Sequence, residues 1–482
     1  MRQDDAVQAS ALKLVTYWTH ILASIGILKL LVRHKLVYHL VMPVSTDDVA
    51  DRLSLGPKSA AELMSVLGAS QSTISRTVRA LEREKRVLRI GGATRGARYA
   101  LRRSVGVSDS TWPIYRVDER GAVQKIAALS AIHPSSIYAT GQLERIQGFF
   151  PGIPYYLQDA RPAGFLGRAV PSMYPELKLP ARVADWTDDH FLTYLVERAT
   201  DSVGDLIAGA TALDRHLAGA QAPPVVSIKD RKRAYPKFAV DAMAGTPPGS
   251  SAQGEHPKFT VCRADGKRRV HVLVKFSPPR STATGQRWAD LLTAEHNAHR
   301  ALEEHGIAAC RSTLLEAGDR VFLESERFDR IDERGRRGVV SLFAVDTDRY
   351  GQLDSWTQCA DRLAGDAMLS PEDAEGVRFL DAFGALIANT DRHFGNITLF
   401  DHYQGAFGLA PVYDMLPMLF APQDDQLTVK RFEPPVPRAA WLTVWDAAHS
   451  LAESYWDGLA HDAAISAEFR KLSARCVAAL KR

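Results

Sequence analysis

At 482 residues, with 46% hydrophobic and 24% charged positions and a formal net charge of +4, the chain can bury large cores and hold two to four domains of roughly 100 to 200 residues each. This is the composition of a soluble globular protein, and the modest net charge excludes a uniformly basic one. The four cysteines, Cys262, Cys310, Cys359 and Cys476, lie far apart and form no C-x-x-C pair, which argues against a disulfide framework or a structural zinc site and suits a reducing cytoplasm.

In chain order, the first feature is LVTYWTHILASIGILKLLV at 14–32, apolar over about the length of a membrane span. His20 and Lys29 interrupt it, Arg33, His34, Lys35 and His39 follow it, and no small-residue cleavage site comes after. Residues 1–41 are therefore expected to be an extra amphipathic helix or an unstructured leader rather than a membrane anchor, with a start at Met42 as the alternative.

Residues 42–106 have the layout of a winged helix-turn-helix. DDVADRLSLG and KSAAELMSVLG read as short amphipathic helices, Gly68 as a tight turn, and SQSTISRTVRALEREKRV as a third helix. Ile74, Val78 and Leu81 fall on one face of that helix, leaving Gln71, Ser72, Thr73, Ser75, Arg76 and Arg79 on the other. VLRIGGATRGARYAL reads as strand, turn, strand: a wing with Arg95 and Arg98 at its tip. Over residues 71–103, ten lysines and arginines stand against Glu82 and Glu84, so ten minus two gives +8. Such a cluster is the footprint of a DNA contact, while a three-helix interaction module with a solvated basic face is the plainer alternative.

From Thr111 the pattern turns to short β runs, WPIYRVDERG and KIAALSAIHPSSIYAT, with a turn at Glu119-Arg120-Gly121 and a later helix around FLTYLVERA. Residues 239–258, rich in Gly, Pro and Ser, are expected to form a mobile loop. Strands FTVCRADG and RRVHVLVKFS, the helix WADLLTAEHNAHRALEEHG and the strand VFLESERFDRID follow. Beyond Val345 the chain reads as mainly helical. The expected organisation is α+β, with one lobe over 107–345, the Ser/Gly-rich loop included, and a mainly helical lobe over 346–482.

In ALIANTDRHFGNITLF, residues 385–400, an apolar run is broken by Asn389, Asp391, Arg392, His393 and Asn396. Polar groups interrupting a buried segment mark a solvated turn or a site. The surrounding order decides: a Ser/Gly-rich loop, a strand with a lysine, a helix with a glutamate, then D-x-x-x-x-N and a later Asp are the parts, in order, of a two-lobed kinase-like fold, with the phosphate loop in the first lobe and the catalytic residues in the helical second. Phosphoryl transfer needs positive charge and magnesium against phosphate oxygens, so such groups must converge from separate elements. Asp391 and Asn396 have the spacing of a catalytic base and a metal ligand, and Asp414 in APVYDM would be the second ligand.

With ERFDR at 326–330, NTDRHFGN at 389–396 and LAPVYD at 409–414, the sequence over roughly 110–480 resembles the HipA-type serine/threonine kinase toxins of bacteria. Its N-terminal module places it nearest the YjjJ-like subgroup, which carries its own helix-turn-helix. The resemblance implies ATP and Mg2+ as cofactors, Asp391 as the base, and Asn396 and Asp414 as magnesium ligands. It also implies Lys275 at the nucleotide phosphates with Glu295 as partner, and Glu326, Phe328 and His393 at the nucleotide. The loop GSSAQGEHPK corresponds to the family's phosphate loop, with Gly254 and Lys258 in it and Ser251, beside Ser250, where HipA itself is autophosphorylated. Here the sequence departs from the family, since many members have two adjacent glycines where this one has Gln253-Gly254 followed by Glu255 and His256. The implied partners are DNA, a translation component such as an aminoacyl-tRNA synthetase as protein substrate, an antitoxin and a second copy of the chain, with no membrane. A DNA-binding transcriptional regulator with a kinase-like sensing domain and a metal-dependent DNase are the alternative readings.

Overall fold

The computed structural model describes residues 44–91, 96–106, 110–219, 222–245, 256–423 and 426–482; the expected leader at 1–41 lies outside the described residues. The chain is α+β and divides between Leu101 and Arg102 into two compact units.

In the first unit, capping decides where the helices start. Ser45 with Asp48 closes a capping box on α1 (Thr46–Ser54), Ser59 with Glu62 does so on α2 (Ala60–Leu67), and Ser70 caps α3 (Gln71–Arg83). Each device satisfies backbone donors that a helix N-terminus leaves open. α2 stops at Gly68, whose φ of 61° is left-handed and costs glycine little. Ile74, Val78 and Leu81 of α3 bury against Val49, Leu53 and Leu63. Strands β1 (Val87–Ile90) and β2 (Arg98–Leu101) pair antiparallel, and a two-residue strand, Lys58–Ser59, joins the other edge of β2.

The second unit opens with β3 (Thr111–Val117), β4 (Val123–Ile132), β5 (Ser136–Gly141) and β6 (Gly148–Phe150), an antiparallel meander that β7 (Leu206–Ala208) completes beside β3. The expected turn at Glu119-Arg120-Gly121 joins β3 to β4, with Gly121 at φ 80°. Helices α4 (Asp188–Glu197) and α5 (Ala210–Leu217) flank this sheet.

A second five-stranded sheet follows, from β8 (Val225–Ser227), β9 (Lys258–Asp265), β10 (Arg268–Phe276), β11 (Ser312–Ala317) and β12 (Arg320–Glu326), in the order β11-β12-β10-β9-β8. On one face α6 (Arg231–Ala244) buries Tyr235 and Ala239 against Val261, Val274 and Phe322. On the other, α7 (Ala283–Glu304) packs Ala289 and Leu292 on Val321 and Leu323. Because side chains alternate along a strand, Lys275 of β10, paired in register with Leu323, faces α7. The expected loop over 239–258 is shortened at both ends: α6 continues to Ala244, its inner face held by the sheet, and β9 begins at Lys258. Residues 246–255 lie outside the described residues.

After a two-residue hairpin pair, Arg330–Ile331 with Gly335–Arg336, the strands β13 (Val339–Ser341), β14 (Thr398–Phe400) and β15 (Gly408–Leu409) form a small antiparallel sheet. Helices α8 (Leu342–Arg349), α9 (Trp356–Gly365), α10 (Pro371–Leu386), α11 (Trp445–His461) and α12 (Ala467–Leu480) complete the chain. Trp356, Phe383, Trp441, Trp456 and Phe469 share one buried cluster with Trp112, Leu129 and Phe191 of the first half. The expected lobe boundary at 345/346 thus falls inside a continuous core. Among the described residues no helix is long and apolar enough to cross a membrane.

Candidate active site

Lys275 is 5% exposed, on the face of the sheet opposite the buried side chains of Val274 and Phe276. A buried ammonium needs an opposite charge, and α7 supplies one: Lys275 Nζ lies 2.6 and 2.8 Å from the two oxygens of Glu295, which is fully buried. The same nitrogen also donates to Asp414 Oδ1. Burial opposes the charge on Lys275, but Asp414 and Glu295 outweigh it and hold its pKa above the ordinary value. Burial raises the pKa of Glu295. For Asp414 burial works the same way, yet Lys275 and Lys258 overcome it and keep the carboxylate ionised. His256 packs on Trp288 with ring centroids 4.4 Å apart, and burial, with Lys275 and Lys258 nearby, pushes its pKa down to about 3.

The loop after α10 is built around Asn389, 1% exposed. Ala388 turns left-handed at φ 59°, and the Asn389 side chain then bridges two elements. Its Oδ1 accepts from the backbone N–H of Asp391 (3.0 Å), and its Nδ2 donates to the carbonyl of Asp414 (3.1 Å). Asp414 itself sits at φ 56°. Asn396 Nδ2 donates to the Asp391 carbonyl at 2.7 Å, which leaves its side-chain oxygen as the end able to meet a cation. Burial raises the Asp391 carboxyl, and His393 opposes the rise. Arg392 donates to the Asn389 carbonyl and lies 3.4 Å from Asp381, which also accepts from Thr357 (2.8 Å) and Trp441 (3.1 Å). Tyr413 bonds Thr398 and the Gly395 carbonyl, each at 2.8 Å. Asp391, Asn396, Asp414, Lys275 and Glu295, expected from the sequence to converge, are thereby brought together.

Other expected site residues fare differently. Lys258 lies opposite Lys275 in the β9–β10 register. Phe328 packs against Tyr413 with ring centroids 6.0 Å apart, close to Asp414. Glu326 is tied to Arg263 at 2.7 Å, and exposed His393 accepts from the Gly395 N–H at 3.1 Å, capping its own loop. Ser250, Ser251 and Gly254 lie outside the described residues. The rest of the ERFDR motif is structural: Arg327 and Arg330 pair with Asp201 at 3.1 and 2.8 Å, while Asp329 accepts from both arginines and from the Gly204 N–H. The sequence reading missed this knot because its partners lie more than a hundred positions upstream.

On the first unit, Gln71, Ser72, Arg76 and Arg79 are exposed along α3, with Thr73 half-buried beside the cap at Ser70. The +8 window spans both units. Arg102 and Arg103 belong to the second unit, where they contact Thr111 and Asp189, so eight minus two leaves +6 over 71–101. Arg98 lies in β2 rather than at a tip, donating to the Pro57 carbonyl (2.7 Å) and pairing with Glu62 (3.3 Å). Arg95 lies outside the described residues.

Comparison with known proteins places two family models on the chain: "YjjJ-like toxin, middle domain" over residues 108–217 and "HipA-like C-terminal domain" over 250–481. Toxin YjjJ of Escherichia coli strain K12 is 38% identical over 434 residues, covering 88% of this chain and 95% of that protein. Among solved structures, a chain of the Shewanella oneidensis MR-1 toxin–antitoxin complex of HipA, HipB and operator DNA aligns with a TM-score of 0.49 and 14% identity, over 77% of this chain and 95% of that one. The Helicobacter pylori proinflammatory kinase CtkA aligns with a TM-score of 0.34 and 12% identity, over 49% of this chain and 90% of that one.

Proposed function

The chain belongs to the HipA-type toxins of the YjjJ-like subgroup, and on that footing we propose that it is an ATP- and magnesium-dependent serine/threonine protein kinase whose own winged helix-turn-helix binds DNA. The observation that carries the kinase reading is the Glu295–Lys275–Asp414 chain of charges, its first two members buried and Asp414 half-buried, joined through Asn389 to the loop bearing Asp391.

In this reading Asp391 accepts the proton of a serine or threonine hydroxyl as its oxygen attacks the γ-phosphorus and ADP leaves. Asn396 and Asp414 would hold magnesium, which when bound would supply positive charge to the phosphate oxygens. Both ligands suit it: an ionised carboxylate and an amide oxygen are hard donors. Lys275, kept cationic by Glu295, would turn from Asp414 to the nucleotide phosphates and so release the carboxylate for the metal. Lys258, Glu326, Phe328 and His393 are proposed to line the nucleotide, and Ser251, with Ser250, to take up phosphate in cis, which would push the loop from the nucleotide by charge and size. The protein substrate is proposed to be a translation component, and DNA, an antitoxin and a second copy of the chain are the proposed partners in a cytoplasmic setting.

The test is incubation of the purified protein with magnesium and γ-labelled ATP, followed by mass spectrometry of the loop. Wild type should transfer label and carry phosphate at Ser251, whereas Asp391→Ala and Asp414→Asn should do neither. Undiminished transfer by either variant would overturn the assignment. Plasmid cleavage without ATP consumption would instead favour the DNase reading.

A further inference from the structure

The middle segment, residues 108–217, meets the elements that carry the active site through largely buried polar contacts at three places. The first is the ionic knot already described, in which Asp201 and Gly204 hold Arg327, Asp329 and Arg330 just after β12. The second is at β13: Asp159 accepts from both the N–H and the hydroxyl of Ser341, each at 2.6 Å. Ser341 in turn caps α8. The third is at β14. Asp401, the residue after that strand, is fully buried, and from the middle segment Arg145 and Tyr155 reach its carboxylate, Tyr155 at 2.9 Å. Arg145 is wedged there with its guanidinium 4.2 Å from the Phe407 ring centroid. Asp205, also fully buried, accepts from Arg116 (2.7 Å) and from Tyr403.

β13 and β14 pair with each other, and β14 is the exit of the loop that carries Asp391 and Asn396. Thr398 of β14 bonds Tyr413, next to Asp414. We infer that the middle segment is a brace for this loop: Arg145 and Tyr155, acting through Asp401, are positioning residues that fix where Asp391 and Asn396 stand. A buried carboxylate held by groups of another segment cannot move without leaving its charge unpaired, so the loop inherits the rigidity of the meander.

The inference rests on the kinase reading for its catalytic consequence but not for its structural one, and the experiment separates the two. In the full chain, Tyr155→Phe keeps the ring and removes one hydrogen bond; Arg145→Met leaves Asp401 without its countercharge; Arg145→Met with Asp401→Asn removes charge and imbalance together. Backbone hydrogen exchange over 389–401 should quicken about tenfold or more in the two single variants, with β9 and β10 unchanged, and the double variant should recover much of the protection. The turnover rate should fall about tenfold in Tyr155→Phe while the KM for ATP stays within about twofold. Unchanged exchange over 389–401 in both single variants, or equal loss of protection throughout the chain, overturns the brace. Faster exchange in a protein whose wild type transfers no phosphate keeps the brace and removes the kinase reading.

Discussion

Asn389 shows how much one side chain can settle. Its amide accepts from the residue proposed as base and donates to the backbone of the residue proposed as metal ligand, so a single planar group sets the distance between them. Replacing it with Leu fills the space but leaves a buried N–H and a buried carbonyl unpaired, at about 1–3 kcal/mol each. Asn389→Leu is expected to lower thermal stability measurably and to reduce phosphoryl transfer about a hundredfold, since catalysis is that sensitive to displacement of about 1 Å. Measuring nucleotide affinity alongside separates the effects, because Lys275 and Glu295 stay in place and binding should change little. The sequence displayed Asn389 as a polar interruption of an apolar run, but its role could not be read there. The Asp414 carbonyl is 25 positions away, and only the fold brings it within reach.

At the scale of elements, α10 and the loop after it are fitted at Gly384. A Cβ there would stand 2.6 Å from Arg392 Cδ, so any larger residue displaces the arginine that ties Asp381 to the Asn389 carbonyl. Gly384→Ala gains about 1 kcal/mol of helix propensity against about 1–3 kcal/mol of overpacking. The expected result is a protein of near-normal melting temperature with transfer lowered about tenfold; normal activity would show that Arg392 has no part in placing the loop. The knot after β12 is expected to respond to acid. Burial alone would raise Asp201, but Arg327 and Arg330 outweigh it and bring it down from 3.8 to about 2. Since its folded pKa lies below the unfolded one, its contribution is complete above about pH 4 and lost as pH falls from 3.8 towards 2. Asp201→Asn should therefore cost about 3 kcal/mol at pH 7, and denaturant titrations should show wild type and variant converging below pH 4.

For the whole molecule, the division at Leu101 changes what the basic N-terminal region can be expected to do. Arg76 stands exposed on α3, whereas Arg98 is committed to Glu62 and Pro57. In the full chain, Arg76→Ala should lower discrimination between a specific and a random duplex by about 1–3 kcal/mol. Arg98→Ala should chiefly weaken the unit itself, leaving the slope of binding against salt nearly unchanged. A salt titration on both duplexes checks this, and binding to neither at low salt would sink the DNA reading. Capping residues, the period of α3, the strand bearing Lys275 and the spacing of Asp391 and Asn396 are local facts, and the sequence by itself determined them, because each depends on neighbours within a few positions. The continuous core across 345/346, the pairing of Arg103 with Asp189, the knot at Asp201 and the grip of Arg145 on Asp401, 256 positions away, were decided only by the tertiary structure. A charge can be seen in a sequence, but its partner is chosen by the packing that buries them both.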